Sequence, residues 1–239
     1  MLAALTLRLE YFVKKGCRIA DHGFERFPKN YADEKEAAKL FEKRCGLTVE
    51  EREKRFGFLL VWLTKEYQKR GILMQLHFSV IRNNNKAMFE KCGVDSGFDL
   101  IGEEQSVKDL ARYFNQIEEE ERPETVLYPL NDGNLRAIAA ATGAFRHVRM
   151  GTAWWFNDTL AGIKRNLETL AEYSLLGNHL GMLTDSRSFS SYCRFDFFRR
   201  ILCDFVGDKV ENGEYDPTAA ETLMRNVCYE NIKRMLNNG

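Results

Sequence analysis

Residues 125–144, TVLYPLNDGNLRAIAAATGA, contain one complete unit of the pattern that decides the fold. An apolar strand at 125–130 is followed by a polar turn at 131–134 and by an alanine-rich helix at 134–144. Strands that alternate with helices of this length are typical of a parallel sheet with helices packed outside it. This stretch therefore predicts a β-then-α unit.

The same order of strand, polar turn and helix recurs on both sides of this stretch. Further strands are predicted at 17–20, 72–81, 149–156 and 180–183. Helices are predicted at 2–15, 33–45, 49–69, 105–120, 159–176, 192–211 and 216–236, with an irregular segment at 86–104. The sequence thus predicts an α/β fold of about five β/α units.

The chain has no linker or low-complexity tract, so residues 1–239 are predicted to form a single domain. Thr48 and Glu51 have the spacing of a capping box, which predicts a helix start at about 49. No G-x-x-x-x-G-K-[ST], G-x-G-x-x-G or G-x-S-x-G motif occurs. Their absence disfavours nucleotide-binding and serine-hydrolase functions.

The overall charge does not favour binding to nucleic acid or to an anionic membrane. Lys plus Arg and Asp plus Glu both number 35, so the formal net charge is zero. No run approaches 18 apolar residues, and the N-terminal segment has the pattern of an amphipathic helix rather than a signal peptide. The six cysteines form no C-x-x-C pair. Reduced thiols and a cytoplasmic location are therefore expected.

Polar residues gather at the C-terminal end of each predicted strand. In β/α folds this edge of the sheet is where ligand sites are built. The groups are Asp21-His22, Arg82-Asn83, Asn131-Asp132, Asn157-Asp158 and Asp185 with Arg187. A shared pocket is one interpretation. The other is that these loops are polar because Asn and Asp cap the helices that follow.

Two histidines and one of two adjacent tryptophans near these strand ends are candidates for substrate contact. His77 within its strand and His22 at a strand end could bind metal or substrate, or could be hydrogen-bonded structural histidines. Trp154 and Trp155 are adjacent, so a strand would point them to opposite faces. An inward indole could stack on a sugar ring or simply fill the core.

Residues 181–189, GMLTDSRSF, contain the strongest candidate. Asp185 ends an apolar strand, and a buried carboxylate needs a metal, a ligand or a cationic partner. In an extended chain Arg187 would point to the same side, with a planar guanidinium suited to a carboxylate. The alternative is an Asp–Arg ion pair that caps the next helix.

Several stretches together resemble the C-terminal part of uronate isomerase, a family of amidohydrolase-like metal-dependent barrels. They occur in the family's order across nearly the whole chain: CRIADHGF at 17–24, QLHFSVIRNNN at 75–85, AWWFND at 153–158, GMLTDSRSF at 181–189 and FFRRILCDFVGDKVENGEY at 197–215. The resemblance implies a (β/α)₈ barrel that interconverts D-glucuronate with D-fructuronate, and D-galacturonate with D-tagaturonate.

The resemblance also implies roles for individual residues. Asp185 matches a metal ligand, commonly for zinc, and a candidate base for proton transfer through an enediol. Arg187 matches the arginine expected to bind the carboxylate of the hexuronate substrate. His77, Arg82 and Trp155 match positions near the pocket, and His22 matches a histidine at an earlier strand end.

The sequence departs from the family in one important respect. Family members are about twice as long, and their first strand carries a His-x-His pair of metal ligands that is absent here. We therefore expect strands four to eight of a partial barrel, with weak or absent zinc binding by this chain alone. We expect a homo-oligomer or association with the N-terminal barrel units. The alternative is a catalytically silent β/α domain that acts as a binding module.

Overall fold

The computed structural model describes residues 1–43, 45–152, 155–186 and 188–237. Its strands are β1 (Ile19–Gly23), β2 (Leu73–Phe78), β3 (Val80–Ile81), β4 (Leu100–Ile101), β5 (Thr125–Pro129) and β6 (Val148–Met150). Its helices are α1 (Leu2–Lys14), α2 (Glu34–Glu42), α3 (Val49–Gln68), α4 (Lys86–Cys92), α5 (Val107–Phe114), α6 (Leu135–Ala144), α7 (Leu160–Tyr173), α8 (Cys193–Glu211), α9 (Pro217–Arg225) and α10 (Asn231–Asn237). None of these helices is both long and apolar enough to cross a bilayer.

The main sheet contains four parallel strands in the order β1-β2-β5-β6. Gly23 stands opposite His77, and His77 stands opposite Tyr128. Beyond β6, a parallel bridge joins Thr152 to Met182. Five stretches of chain therefore lie side by side in sequence order, and the prediction of an α/β fold with a parallel sheet is confirmed.

The two central strands, β2 and β5, are buried on both faces, whereas the edge strand β1 is partly exposed. Side chains alternate along a strand, so β2 and β5 each contribute to two separate cores. The face toward the helices packs into the larger core, which includes Met74, Leu76, Phe78, Leu127, Tyr113, Ile163 and Leu202. The opposite face forms a smaller core with Leu73, Val126, Tyr128 and Leu130, against which Trp155, Leu180, Leu183 and Met235 pack.

The capping box at the start of α3 is confirmed. The Thr48 hydroxyl accepts the Glu51 backbone N–H at 3.1 Å, and the Glu51 carboxylate accepts the Thr48 N–H at 2.8 Å. These bonds satisfy two backbone donors that the first turn of a helix leaves without partners.

The predicted strand at 72–81 leaves the main sheet after Phe78. Ser79 is buried and adopts a positive φ of 65°, which redirects the chain. Val80–Ile81 then pairs antiparallel with Leu100–Ile101, inside the segment predicted to be irregular. That segment also contains the short helix α4, so the prediction for 86–104 was wrong.

Several other predicted elements are too long. The strand predicted at 149–156 has only three ladder residues, and Trp155 lies in a 3-10 turn, Trp155–Asn157. The strand predicted at 180–183 is reduced to the single bridge at Met182. The alternation argument for the two tryptophans therefore does not apply, and Trp154 lies outside the described residues.

His179, just before the bridge at Met182, is the centre of a buried polar network. Its Nδ1 accepts the Gly181 backbone N–H at 2.9 Å, so in the neutral ring the proton is on Nε2, which contacts the Thr152 hydroxyl. Thr152 donates to the Asn166 side chain at 2.8 Å, and the Asn231 amide donates to the His179 carbonyl at 2.8 Å. Burial lowers the pKa of His179 to about 4.

This lowered pKa predicts that stability falls on mild acidification. The unfolded chain binds a proton at His179 near the ordinary pKa of 6.5, whereas the folded protein binds it only near about 4. Between these values the unfolded state holds more protons, so the free energy of unfolding decreases as the pH falls. We expect this residue to account for a loss of roughly 1 kcal/mol between about pH 7 and about pH 5.5.

Urea unfolding at both pH values checks this expectation. The variant His179→Gln should be less stable than the wild type at each pH, because it loses the acceptor for Gly181. The loss of stability between the two pH values should, however, be smaller in the variant than in the wild type, by roughly 1 kcal/mol. The pKa of His22 is also lowered by burial, but that effect is common to both proteins. An equal pH dependence in wild type and variant would contradict the assignment to His179.

Candidate active site

A polar cleft of about 690 Å³ lies at the C-terminal edge of the sheet. Both the ends of the strands and the loops that follow them contribute to its walls. The lining residues are Asp21, Gly23, His77, Arg82, Asp95, Gly97, Trp155, Asp158, Thr184, Asp185, Ser186 and Arg194. Carboxylates, guanidinium groups and one imidazole thus face a common space, which suits a small polar ligand.

Four of the six residues predicted to form a site line this cleft together. They are His77, Arg82, Trp155 and Asp185. Arg187 lies outside the described residues. The structure does not bring His22 to the cleft: its Nε2 lies 2.8 Å from the Tyr67 hydroxyl on α3, and the two rings stack at 5.6 Å. Adjacent strand residues point to opposite faces, so His22 turns toward the helices while Asp21 turns toward the cleft.

Asp185 has a backbone conformation that the sequence did not predict. Its φ is 44°, and the φ of Trp155, which lines the same cleft, is 50°. Non-glycine residues with positive φ are uncommon, and such strain is concentrated at functional sites. Asp185 is therefore not in an extended conformation. The predicted placement of the Arg187 side chain beside it falls outside the described residues.

His77 is held in a defined orientation on two sides. Its Nδ1 lies 2.8 Å from the Asp21 carboxylate, and its ring stacks on Tyr128 with centroids 4.6 Å apart and planes 9° apart. Only 3% of the His77 side chain is exposed. Burial, with a smaller contribution from the Asp21 charge, raises the pKa of Tyr128, which is therefore neutral at physiological pH.

Arg82 connects two other parts of the cleft. It forms an ion pair with Asp95 at 3.2 Å, and its guanidinium lies 5.5 Å from the centre of the Trp155 ring. A cation over an indole face is an attractive contact. The charge and the aromatic surface of this pair are therefore presented to the cleft together.

Arg194 joins two loops at the cleft wall. Its Nη2 pairs with the Asp158 carboxylate, of which only 3% is exposed, and its Nη1 donates to the Thr184 carbonyl at 3.3 Å. Arg194 comes from the first turn of α8, Asp158 precedes α7, and Thr184 precedes Asp185. Through these two contacts Arg194 links the backbone next to Asp185 to the loop before α7.

Sequence reasoning placed Asp21 among the polar strand ends but did not select it as a site residue, and it missed Arg194. The signal for Asp21 was present, because strand alternation separates it from His22 and only one of the two can face a shared pocket. Arg194 offered no local signal. Its partners Asp158 and Thr184 lie in other loops, and only the fold brings them to Arg194.

A metal ion would need more ligands than these residues provide. Within the part of the chain that the structure describes, no three His, Cys, Asp or Glu side chains converge as a metal site. Catalytic zinc usually has three protein ligands. The donor set of these residues does not fit a zinc ion held by this chain alone.

Comparison with known proteins identifies the family. The model for the family described as glucuronate isomerase matches residues 1–236. The chain belongs to the glucuronate isomerase family. A uronate isomerase from Halalkalibacterium halodurans is 42% identical over 243 residues, covering 97% of this chain and 52% of the relative.

Two solved structures of this family share the fold. The uronate isomerase from Thermotoga maritima superposes with a TM-score of 0.93 at 32% identity, covering 98% of this chain and 53% of that one. The glucuronate isomerase from Caulobacter crescentus has a TM-score of 0.92 at 26% identity, covering 99% of this chain and 50% of that one. The chain thus spans about half the length of the glucuronate isomerase relatives it matches.

Proposed function

We propose that this chain supplies the C-terminal units of a (β/α)₈ uronate isomerase barrel, about five of the eight. Five strand segments lie side by side in chain order, and helices cover one face of the sheet. The match to about half of each relative supports the same interpretation. The proposed reactions are the interconversion of D-glucuronate with D-fructuronate and of D-galacturonate with D-tagaturonate.

The observation that carries this proposal is the grouping of Asp185, His77 and Arg82 around one cleft. Aldose–ketose isomerisation removes a proton from the carbon next to a carbonyl and returns it to the neighbouring carbon through an enediol. A carboxylate positioned beside the substrate can carry that proton. We assign this step to Asp185.

Cationic and aromatic groups of the cleft would hold the sugar acid. Arg187 is assigned to the substrate carboxylate by its place in the family motif, and a planar guanidinium suits bidentate binding. Arg82 and Trp155 offer a second charge and a ring surface for the sugar. His77 is assigned to a sugar hydroxyl, whereas His22 is left out because it lies against Tyr67.

The metal ion of this metal-dependent family would need ligands from outside this chain. Asp185 is the ligand that we assign to this chain, and the sequence has no His-x-His pair. When bound, a divalent ion such as zinc would stabilise negative charge on the substrate oxygens. We therefore propose association with N-terminal barrel units of the kind that the relatives contain, or with a second copy of this chain. The six free cysteines favour a cytoplasmic location.

Complementation tests this proposal directly. We expect the purified chain alone to bind less than one zinc per chain and to have little glucuronate isomerase activity. Mixing it with an N-terminal fragment of a relative, covering the half that this chain does not match, should restore both. Asp185→Asn should lower the restored activity about 10²-fold or more. Asp132→Asn, at another strand end outside the cleft, should not change it.

The alternative, a catalytically silent domain, predicts a different result. In that case the chain would form a complex with the fragment, detected by light scattering, without any isomerase activity. Full activity of the chain alone would show that its own residues complete the metal site, against the proposed need for a partner.

A further inference from the structure

The first strand of the sheet has one edge that no other strand covers. β1 pairs with β2 on one side, and the described residues form no strand on its other side. We propose that this edge, together with the exposed face of α1, binds a further parallel strand and its helix, supplied by N-terminal barrel units of the kind that the relatives contain. The inference names the surface that binds the partner of the proposed function, and it therefore rests on that function.

The hydrogen-bond pattern shows which backbone groups of β1 are available. The Phe24 N–H donates to the His77 carbonyl on β2 at 2.9 Å. In a parallel ladder alternate residues bond to the same neighbour, so the even-numbered residues of β1 bond to β2. The N–H and C=O groups of Asp21 and Gly23 point to the other side. Both residues are exposed, and within the described part of the chain these groups form no backbone hydrogen bond there.

The helix before β1 leaves an apolar surface uncovered. Leu9 packs against the larger core, but Leu7 is 68% exposed and Tyr11 is 49% exposed. These two residues are four positions apart and therefore lie on one face of α1. A helix that precedes a parallel strand packs over the boundary between that strand and the one before it. The face formed by Leu7 and Tyr11 is therefore the place where a preceding β/α unit would pack.

A second copy of this chain fits the open edge poorly. Asp21 is the middle residue of β1. Two copies of the strand related by a two-fold axis would run antiparallel and place their Asp21 carboxylates opposite each other, and opposed like charges destabilise a sheet. The Halalkalibacterium halodurans relative, of which this chain covers 52%, has further chain that can supply β/α units. Because consecutive strands are usually neighbours, we assign the edge to those units.

Amide exchange tests the edge directly. The ¹⁵N-labelled chain is compared alone and with an unlabelled N-terminal fragment of the Halalkalibacterium halodurans relative, the half that this chain does not match. The amides of Asp21 and Gly23 should exchange at least about tenfold more slowly in the complex. The His22 amide, which already bonds to β2, should change little. A chimera that joins the fragment to this chain in one polypeptide gives the same comparison if the fragment does not fold alone.

Two pairs of variants test the surface by titration with the fragment. Asp21→Pro removes the outward N–H and no bond to β2, and an edge strand tolerates proline at such a position. It should raise the Kd about tenfold above that of Asp21→Ala, which also lacks the carboxylate but keeps the N–H. Leu7→Lys should raise the Kd about tenfold as well. Leu175→Lys, at a side chain that is 69% exposed after α7, should leave the Kd unchanged. Circular dichroism checks that each variant is folded, and the Leu7 pair decides alone if Asp21→Pro is not.

Each outcome assigns the edge. Unchanged exchange at Asp21 and Gly23 in the complex or the chimera, equal Kd values for Leu7→Lys and Leu175→Lys, no complex with a folded fragment, or a chimera that does not fold would overturn the inference. Slower exchange as the chain alone is concentrated, with a dimer in light scattering, would assign the edge to a second copy instead. Isomerase activity is measured on the same samples. Protection without activity would overturn only the proposed function, whereas activity without protection would overturn only this inference.

Discussion

The variant Arg194→Ala is expected to lower the free energy of unfolding by about 3 kcal/mol. The Asp158 side chain is only 3% exposed, and Arg194 is its ion-pair partner. Removing the guanidinium leaves a buried carboxylate without compensation and also removes the bond to the Thr184 carbonyl. Urea unfolding followed by circular dichroism measures the loss.

Two further variants isolate the cause. Arg200 lies on the same helix and pairs with Asp196 at 2.8 Å, with 79% of its side chain exposed. Because exposed ion pairs contribute little, Arg200→Ala should cost far less stability than Arg194→Ala. In the double variant Arg194→Ala with Asp158→Asn, part of the lost stability should return, since no charge is left buried. Equal losses for Arg194→Ala and Arg200→Ala would contradict the importance of the buried pair.

The variant Gly151→Ala is expected to cost about 2 to 3 kcal/mol, a fall of about 5–10 °C in Tm. A Cβ at position 151 would fall inside the van der Waals radius of the Tyr128 ring. That ring is buried and stacked on His77, so it cannot move aside without disturbing the imidazole. Calorimetry measures the change in Tm, and the His77 ring signals should shift in the same variant.

Gly143 provides the matched control for this substitution. It lies in α6, and an added Cβ would meet nothing within 4 Å. Replacing a helical glycine with alanine usually stabilises a protein by about 0.5–1 kcal/mol. If Gly151→Ala were as well tolerated as Gly143→Ala, the close packing of Tyr128 between residue 151 and His77 would be refuted.

Elements with a strong local signal were predicted well from the sequence. The strand at 125–130, the helix at 134–144 and the capping box at Thr48 all depend on residues adjacent in the chain. The ends of β2 and β6 were not predicted, because they depend on backbone conformations such as the positive φ of Ser79. Tertiary contacts select those conformations, and a periodic pattern carries no information about them.

The candidate site was predictable in outline. Polar residues at strand ends indicated that Arg82 and Asp185 would share one edge of the sheet, and the family resemblance added His77. The structure places all three around the cleft. The orientation of each side chain was harder to infer. His22 was chosen instead of its neighbour Asp21, and the link from Arg194 to Asp158 depends on how α8 packs against the loop before α7.

The two-sided burial of β2 also limits how this protein can evolve. Met74, Leu76 and Phe78 point into the core beneath the helices, while Gln75 and His77 alternate with them toward the cleft. Inserting or deleting one codon within this strand would exchange the two faces. His77 would then point into the apolar core, and an apolar side chain would point into the cleft. Length variation among descendants should therefore accumulate in the surface loops and spare the six residues of β2, Leu73–Phe78.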